Sequence, residues 1–532
     1  MADSYRWWES GIVYQVYPRS FQDSNGDGIG DLKGITSRLD YLVELGIDAI
    51  WISPIYPSPM TDFGYDVSNY TDIDPMFGTL ADFDALVGAA HGRGLKIVLD
   101  FVPNHTSDQH PWFIDSRLSR ESPKRDWYIW RDGKPKGSTP NNWTSEFGGP
   151  AWTFDEATQQ YYYHAFLKEQ PDLNWRNRDV RTAMLAVLRF WLRRGVDGFR
   201  VDAIHHLIEA EHLRDNPLNP DWREGQSPAR RLARLYSLDQ EETHDCIAEM
   251  RALTDSFDDR VLIGEASLPI EQLMAYYGTA TPGFHLPFNF HLIKSPWDPK
   301  VIAALIEQYE AALGGGPGRW PNWVLGNHDR SRVASRVGPE QARVAAMLLL
   351  TLRGTPTIYQ GEEIGMEDVP IATQAVRDPW EKNVPGLGLG RDPERTPMQW
   401  DASDNAGFTA GEPWLPLSGD RKRLNVATQR EEARSMFSLY RKLIALRRRE
   451  PALSIGAHVK AEAIGDVLIY RRFHAGRWIT VALNFRAEPR IVARRPEAQE
   501  VLISTHLDRA EKLNGHFVEL RANEGLVMAA VA

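Results

Sequence analysis

Short runs dense in Val, Ile and aromatic residues alternate with amphipathic stretches along most of the chain, the pattern of parallel strands joined by helices. Strands are predicted at Gly11–Tyr17, Ala49–Ser53, Lys96–Val102, Gly198–Asp202, Val261–Glu265, His285–Phe290, Trp323–Asn327 and Thr355–Gln360. Helical spacing of apolar positions marks Ile35–Leu45, Leu80–His91, Val180–Arg194 and Gln341–Leu352. Eight strand-helix repeats close a parallel α/β barrel, the (β/α)8 or TIM barrel, whose chemistry gathers at the carboxyl ends of its strands.

Two intervals break the rhythm. From 104 to 175 the text is rich in Trp, Tyr, Asn, Gly and Pro and too long for a loop, which predicts a small domain inserted after the third strand. Near 378–421, Pro385-Gly-Leu-Gly-Leu-Gly390 and several charged turns predict an excursion beside the barrel mouth. A helix follows at Ala433–Arg449, with Met436, Leu439, Leu443 and Leu446 in register on one face. The period then falls to two, and Val467–Arg471 and Trp478–Asn484 read as antiparallel strands. The barrel is therefore assigned to residues 1–103 and 176–455, the insert to 104–175 and a C-terminal antiparallel β-domain to 456–532.

Composition narrows the partners. The 532 residues are 42% hydrophobic and 25% charged, an ordinary globular balance. Lys and Arg total 61 against 72 Asp and Glu, a net charge of −11 that argues against nucleic acid, whose binding needs clustered cations. The sole cysteine, Cys246, excludes an intramolecular disulfide or a multi-thiolate zinc site and fits a reducing cytoplasm. The longest apolar run, Ala345–Leu352, is far short of the roughly 20 residues of a membrane span, and Met1-Ala-Asp-Ser-Tyr-Arg-Trp-Trp8 lacks a signal peptide's basic-then-apolar order. The expectation is a cytoplasmic protein with a small, neutral partner and no organic cofactor; oligomeric state is not legible. The 18 Trp and 18 Tyr suit either a large core or the stacking of sugar rings.

Acidic residues and their neighbours fall at the carboxyl ends of the predicted strands. The third runs into Asp100-Phe-Val-Pro-Asn-His105, the fourth into Gly198-Phe-Arg200-Val-Asp202, the fifth into Gly264-Glu265 and the seventh into Gly326-Asn-His328-Asp329. Arg200 and Asp202 leave a strand on the same face, so the guanidinium can hold the carboxylate ionised. Glycoside hydrolysis needs such a ring: two carboxyl groups flank the scissile bond while other polar groups orient hydroxyls. Asp202 is the candidate nucleophile and Glu265 the candidate general acid and base. Asp329 would engage sugar hydroxyls and stabilise positive charge at the anomeric carbon, with His105 and His328 as hydrogen-bond donors. Asp100 reads as a buried support.

These four segments resemble the signature regions of the α-amylase family of glycoside hydrolases. Gly11-Ile-Val-Tyr-Gln-Val-Tyr-Pro18, the insert and the β-rich tail extend the resemblance to that family's barrel, B domain and C domain. Phe166-Leu-Lys-Glu-Gln170-Pro-Asp-Leu-Asn-Trp175, Met60-Thr-Asp62-Phe-Gly-Tyr65-Asp66 and Arg395-Thr-Pro-Met-Gln-Trp400 are similar to its α-glucosidase and oligo-1,6-glucosidase branch. The resemblance implies an exo-acting, retaining enzyme with catalytic Asp202, Glu265 and Asp329. It implies a closed pocket for the terminal glucose formed by Asp62, Tyr65, His105, Phe166, Arg200, His328 and Arg395, with Gln170 lining it and a paired Asp62 and Arg395 capping the nonreducing end. Ala203, after the nucleophile, favours maltose-like α-1,4 substrates over α-1,6, and His205 and His206 are placed on the acceptor side. An isomerase or transglucosylase using the same glucosyl-enzyme is the nearer alternative; a non-enzymatic transporter-accessory protein of this fold is the distant one.

A separate loop, Asp23-Ser-Asn25-Gly-Asp27-Gly28-Ile29-Gly-Asp31, sets side-chain oxygens at positions 1, 3, 5 and 9, a carbonyl at Ile29 and Gly at position 6, like the start of a calcium loop. Gly34 stands where such a loop would end in a bidentate Glu. The resemblance implies one structural divalent cation here, Ca2+ or Mg2+, held by Asp23, Asn25, Asp27, Ile29 and Asp31.

Overall fold

The computed structural model describes residues 5–135, 137–314 and 318–530. Eight parallel strands form a closed barrel: β1 Val13–Val16, β2 Ala49–Ile52, β3 Lys96–Phe101, β4 Gly198–Val201, β5 Val261–Gly264, β6 Leu286–Asn289, β7 Asn322–Val324 and β8 Thr355–Tyr359. Neighbours in sequence are neighbours in the sheet, and β1 closes the ring by pairing with both β2 and β8. Each strand is buried on both faces, against side chains inside and helices outside, which is why these segments read as near-continuous apolar runs. All eight predicted strands are present.

The helices follow the predicted pattern with one break. Leu80–His91 starts at a capping box between Thr79 and Asp82, and Arg178–Arg193 starts at Asn177. The stretch expected as one helix at Ile35–Leu45 is two, Leu32–Ser37 and Leu39–Leu45, divided at Arg38. Arg38 leaves helical geometry while its Nε donates to Gln22 Oε1 at 2.7 Å and its guanidinium lies 4.1 Å from the Trp400 ring centre. Apolar spacing carries no information about such a contact.

After β3 the chain builds a three-stranded antiparallel sheet, with Gln160–Tyr163 between Trp130–Arg131 and Trp152–Asp155, over its own aromatic cluster. The C-terminal unit is a five-stranded antiparallel sheet facing a two-stranded ribbon, Arg490–Ala493 with Phe517–Leu520. It docks on two barrel helices: Ala461 N–H donates to Glu307 Oε1 (2.7 Å), and Arg472 Nη1 donates to the Thr351 carbonyl (2.7 Å).

The segment between Leu207 and Glu242 was not anticipated as a separate feature. It contains only short elements such as the one-turn helix Pro228–Arg231, and it bridges barrel and insert: Leu207, Ile208 and Leu238 join the barrel core, and the rest packs against the insert. Trp143 Nε1 donates to the Arg214 carbonyl at 2.9 Å, Asn142 exchanges two bonds with the Asn216 backbone, and Glu146 pairs with Arg234. Without apolar periodicity it reads as linker, yet it forms one wall of the pocket described next.

Candidate active site

The strand alternation that sends Arg200 and Asp202 to one face places a single guanidinium among three carboxylates. Arg200 Nη1 lies 2.7 Å from Asp202 Oδ1 and 2.7 Å from Asp100 Oδ1, while its Nη2 lies 2.7 Å from Glu265 Oε2. Asp100 is fully enclosed and also accepts from Trp51 Nε1 (3.1 Å) and the Tyr65 hydroxyl (3.0 Å), which is the supporting role expected of it. Burial pushes Asp100 up to about 6. Burial presses Asp202 upward as well, joined by repulsion from Glu265, Asp100 and Asp329, and Arg200 is the charge that opposes this. One cation cannot neutralise the crowd of carboxylates around it, so Asp100 and Asp202 keep their protons to higher pH than isolated acids do. Only Asp202 and Glu265, with side chains 11% and 18% exposed, open onto the cavity.

The turn after Asp202 is strained. Ala203 adopts φ 45°, ψ 34°, a left-handed conformation uncommon outside glycine. This conformation aims its amide at Glu265 Oε2, 2.9 Å away. The residue after Asp202 thus orients Glu265 through its backbone.

Asp329 lies opposite. Burial opposes its ionisation, yet the neighbouring His328 ring, Arg391 Nη1 (3.3 Å) and Arg395 Nη2 (2.9 Å) hold it well below the usual carboxylate range. Because burial drives His328 far below its ordinary value, its ring is neutral and the two guanidiniums carry the effect. Gln15 Nε2 donates to His328 Nδ1 (2.8 Å), leaving Nε2–H to face the Tyr65 hydroxyl (2.7 Å), which passes its own proton toward Asp100. His105, pushed down to about 3 by burial, is likewise neutral, with Nε2 3.1 Å from both the Tyr65 carbonyl and Gln170 Nε2.

Asp62, Tyr65, His105, Phe166, Asp202, Glu265, His328 and Asp329 all line one cavity of about 850 Å³. Three other expected residues stand behind its wall. Arg200 and Arg395 are fully buried and act on carboxylates, and Gln170, also fully buried, braces Asp62 Oδ2 (3.2 Å) and His105 rather than lining the pocket. The expected cap of Asp62 with Arg395 is a different pair: Asp62 Oδ1 is held at 2.6 Å by Arg391 Nη2, while Arg395 serves Asp329 and the His328 carbonyl. Arg391 is also anchored by Asp378 (2.8 Å) and lies 5.0 Å from the Phe147 ring centre. It follows directly on the Gly386–Gly390 turns; the sequence reading placed that excursion at the mouth but did not single the arginine out.

The loop expected to hold a cation is wound by its own side chains. Asp23 Oδ1 accepts from the Asn25 and Gly26 amides (2.8 Å each), Asn25 Oδ1 from the Asp27 amide (2.9 Å), Asp27 Oδ1 from the Ile29 amide (2.8 Å), and Asp31 caps the next helix at the Gly34 amide (2.7 Å). Gly28, at φ 89°, touches the 401–414 excursion so closely that a Cβ would sit 1.8 Å from the Glu412 carbonyl oxygen. The donors are all hard oxygens, which suits Ca2+ or Mg2+. Among the described residues, the tightest group of acids and imidazoles is instead His506, Asp508 and Glu524, whose carboxylates already pair with Arg434, Arg509 and Arg521.

A parallel barrel carrying an enclosed Arg-linked carboxylate pair and a third aspartate held by two arginines at its strand ends is the framework of a glycoside hydrolase. Residues 15–456 match the Alpha-amylase family, described as the alpha amylase catalytic domain, and the chain belongs to that family. It is 42% identical over 497 residues to a probable alpha-glucosidase of Rhizobium meliloti (strain 1021), covering 91% of this chain and 90% of that one. It is 46% identical over 461 residues to Maltase A2 of Drosophila melanogaster, covering 83% and 79%. Among solved structures, an alpha-glucosyl transfer enzyme superposes with a TM-score of 0.92 at 39% identity, covering 99% of this chain and 100% of that one.

Proposed function

We propose that this enzyme is a retaining, exo-acting α-glucosidase that releases α-glucose from the nonreducing end of short α-glucosides, with α-1,4 linkages preferred. The observation that carries the reading is the arrangement around Arg200, which presents Asp202 and Glu265 to one cavity whose far end is shut by Asp62 and Arg391. Asp202 attacks the anomeric carbon while Glu265 protonates the departing oxygen. Water, or a sugar hydroxyl in transfer, then gives its proton to Glu265 and displaces Asp202. Asp329 binds ring hydroxyls and favours the oxocarbenium-like transition state. The closed end leaves no room for sugar beyond the terminal unit, which accounts for exo action.

Time-resolved proton NMR with maltose, isomaltose and sucrose in parallel tests this. Early α-glucose with maltose consumed fastest is the expected result. Early β-glucose overturns retention, faster isomaltose overturns the linkage preference, and rearranged disaccharides without free glucose assign the chain to the isomerases.

The 23–31 loop is proposed to hold one structural divalent cation, Ca2+ by its donor set, with Asp23, Asn25, Asp27, Asp31 and the Ile29 carbonyl as ligands. No reaction step depends on it. Chelator treatment and dialysis should lower the melting temperature more than the initial rate; an unchanged melting temperature removes the site. A cytoplasmic location is proposed from the single thiol, Cys246, which is buried and pushed up to about 12. No described helix is long and apolar enough to cross a membrane. Fractionation of the source cells tests the location.

A further inference from the structure

The outer part of the cavity has a charge pattern that a neutral sugar does not require. Arg230, on the one-turn helix Pro228–Arg231, Lys294, at the end of the short helix His291–Lys294 after β6, and Arg330, next to Asp329, all face the cavity. They come from three separate segments. Neither the Arg230 nor the Arg330 guanidinium has a carboxylate or hydrogen-bond partner among the described residues, and Lys294 reaches only the Ser267 hydroxyl. The other arginines of the site behave differently: Arg200, Arg234, Arg391 and Arg395 each pair with a carboxylate. Arg230 and Lys294 are exposed at the mouth and Arg330 is half-buried, so the three line one open rim, and none has a carboxylate partner there, among the described residues, to compete with an incoming anion.

Their position identifies which part of a substrate meets them. The terminal glucose fills the closed end at Asp62, Tyr65 and Arg391. The leaving group therefore departs past Glu265, toward His205, Ser267 and Lys294. We propose that the aglycone and acceptor subsite of this enzyme is built for an anionic group, a carboxylate or phosphate on the leaving alcohol or on the acceptor of glucosyl transfer, bound by Arg230, Lys294 and Arg330. In transfer, the acceptor hydroxyl oxygen bonds to the anomeric carbon as the ester bond to Asp202 breaks, and its proton passes to Glu265. The inference rests on the glucosidase reading above and adds the charge of the second substrate.

The test compares α-glucosides of matched size, 4-nitrophenyl α-glucoside and its 3-carboxy derivative, together with glycerol, glycerate and glycerol 3-phosphate as acceptors. Release of nitrophenol from the neutral glucoside reads the glucosidase assignment by itself. The ratio of kcat/KM for charged over neutral substrate reads the anion subsite, and the two acids separate carboxylate from phosphate. At low ionic strength the ratio should be about tenfold or more, as expected for a charge-assisted contact, and should fall toward one as salt screens it. In the Arg230→Ala, Arg330→Ala double variant the ratio should collapse to about one, whereas Arg330→Lys should keep most of it. Thermal melts of each variant check the fold. A wild-type ratio at or below one with both anions, or a ratio unchanged in a well-folded double variant, overturns the proposal.

Discussion

The closed end of the cavity and its mouth are built on opposite principles. At the closed end every cation is held by carboxylates: Arg200 by Asp100, Asp202 and Glu265, Arg391 by Asp62 and Asp378, Arg395 by Asp329, with two neutral imidazoles locked by Gln15, Tyr65 and Gln170. These groups stand on strand ends or are braced by them. At the mouth, cations from the irregular 207–242 segment and from two short segments after β6 and β7 line one cavity without carboxylate partners among the described residues. A matched, enclosed network fixes geometry for one transition state; an unmatched, half-open one leaves energy to be gained from whatever binds there. The difference separates the bond-breaking machinery, which tolerates little change, from the choice of second substrate, which can drift.

Asp202→Asn should break the closed end most completely, lowering kcat by about 10⁴ or more, as loss of a nucleophile does. Its melting temperature should hold or rise, because a neutral amide relieves the crowding of three carboxylates around Arg200. Residual turnover within a hundredfold of wild type, in a preparation free of wild-type enzyme, would falsify the nucleophile assignment.

Arg391→Ala strips Asp62 and Asp378 of their shared cation. Removing one partner of a buried ion pair costs about 3–5 kcal/mol, and the loss should appear as destabilisation together with a KM increase for maltose. Lysine should restore little, because no single ammonium reproduces contacts to three carboxylates. If Arg391→Ala melts and turns over like wild type, the cap at the closed end is misassigned.

A pH titration of stability tests the neutrality of the buried imidazoles. His105, His164 and His206 are pushed down by burial to about 3, 4 and 4, against about 6.5 in an unfolded chain. Below about pH 6.5 the unfolded chain takes up protons that the native state refuses, so their contribution is whole above that pH and drains as pH falls toward 4. The ceiling is about 1.4 kcal/mol per pH unit per histidine. Buried carboxyls act in the opposite direction over this range, Asp100 pushed up to about 6 and Glu209 to about 8, so the imidazole contribution is read as a difference. The melting temperature of wild type minus that of a His164→Gln variant should shrink from pH 7 to pH 5, and a difference that stays constant would mean this imidazole protonates in the native state.

The smallest expected effect sharpens the boundary between the two regions. Ala203→Val forces a β-branched side chain into a left-handed conformation, at a cost of about 1–2 kcal/mol, and should disturb the amide contact to Glu265. Ala203→Gly should be close to neutral. Equal melting temperatures and equal maltose rates for both variants would show that this turn sets nothing.

The barrel was legible because a strand buried on two faces must be apolar throughout, and each of the eight runs, from Val13–Val16 to Thr355–Tyr359, is. Asp202, Glu265 and Asp329 were legible because chemistry in this architecture sits where a strand ends. Arg391 was not: it lies among glycine turns with no period, and its partners are 13, 62 and 329 positions away in the chain. The same holds for the mouth, where Arg230 and Arg330 are a hundred residues apart in sequence, and for Arg38, whose contact with Trp400 breaks a helix that apolar spacing alone makes continuous.

The sequence by itself determined the order of strands and helices, the domain that interrupts them and which carboxylates stand at the strand ends, because period and strand-end position are local properties. Tertiary structure alone decided which arginine closes the pocket, which residues stand behind its wall and where cations remain unpaired. Ion pairs and enclosure depend on distances in space between segments remote in the chain, and no local pattern encodes them.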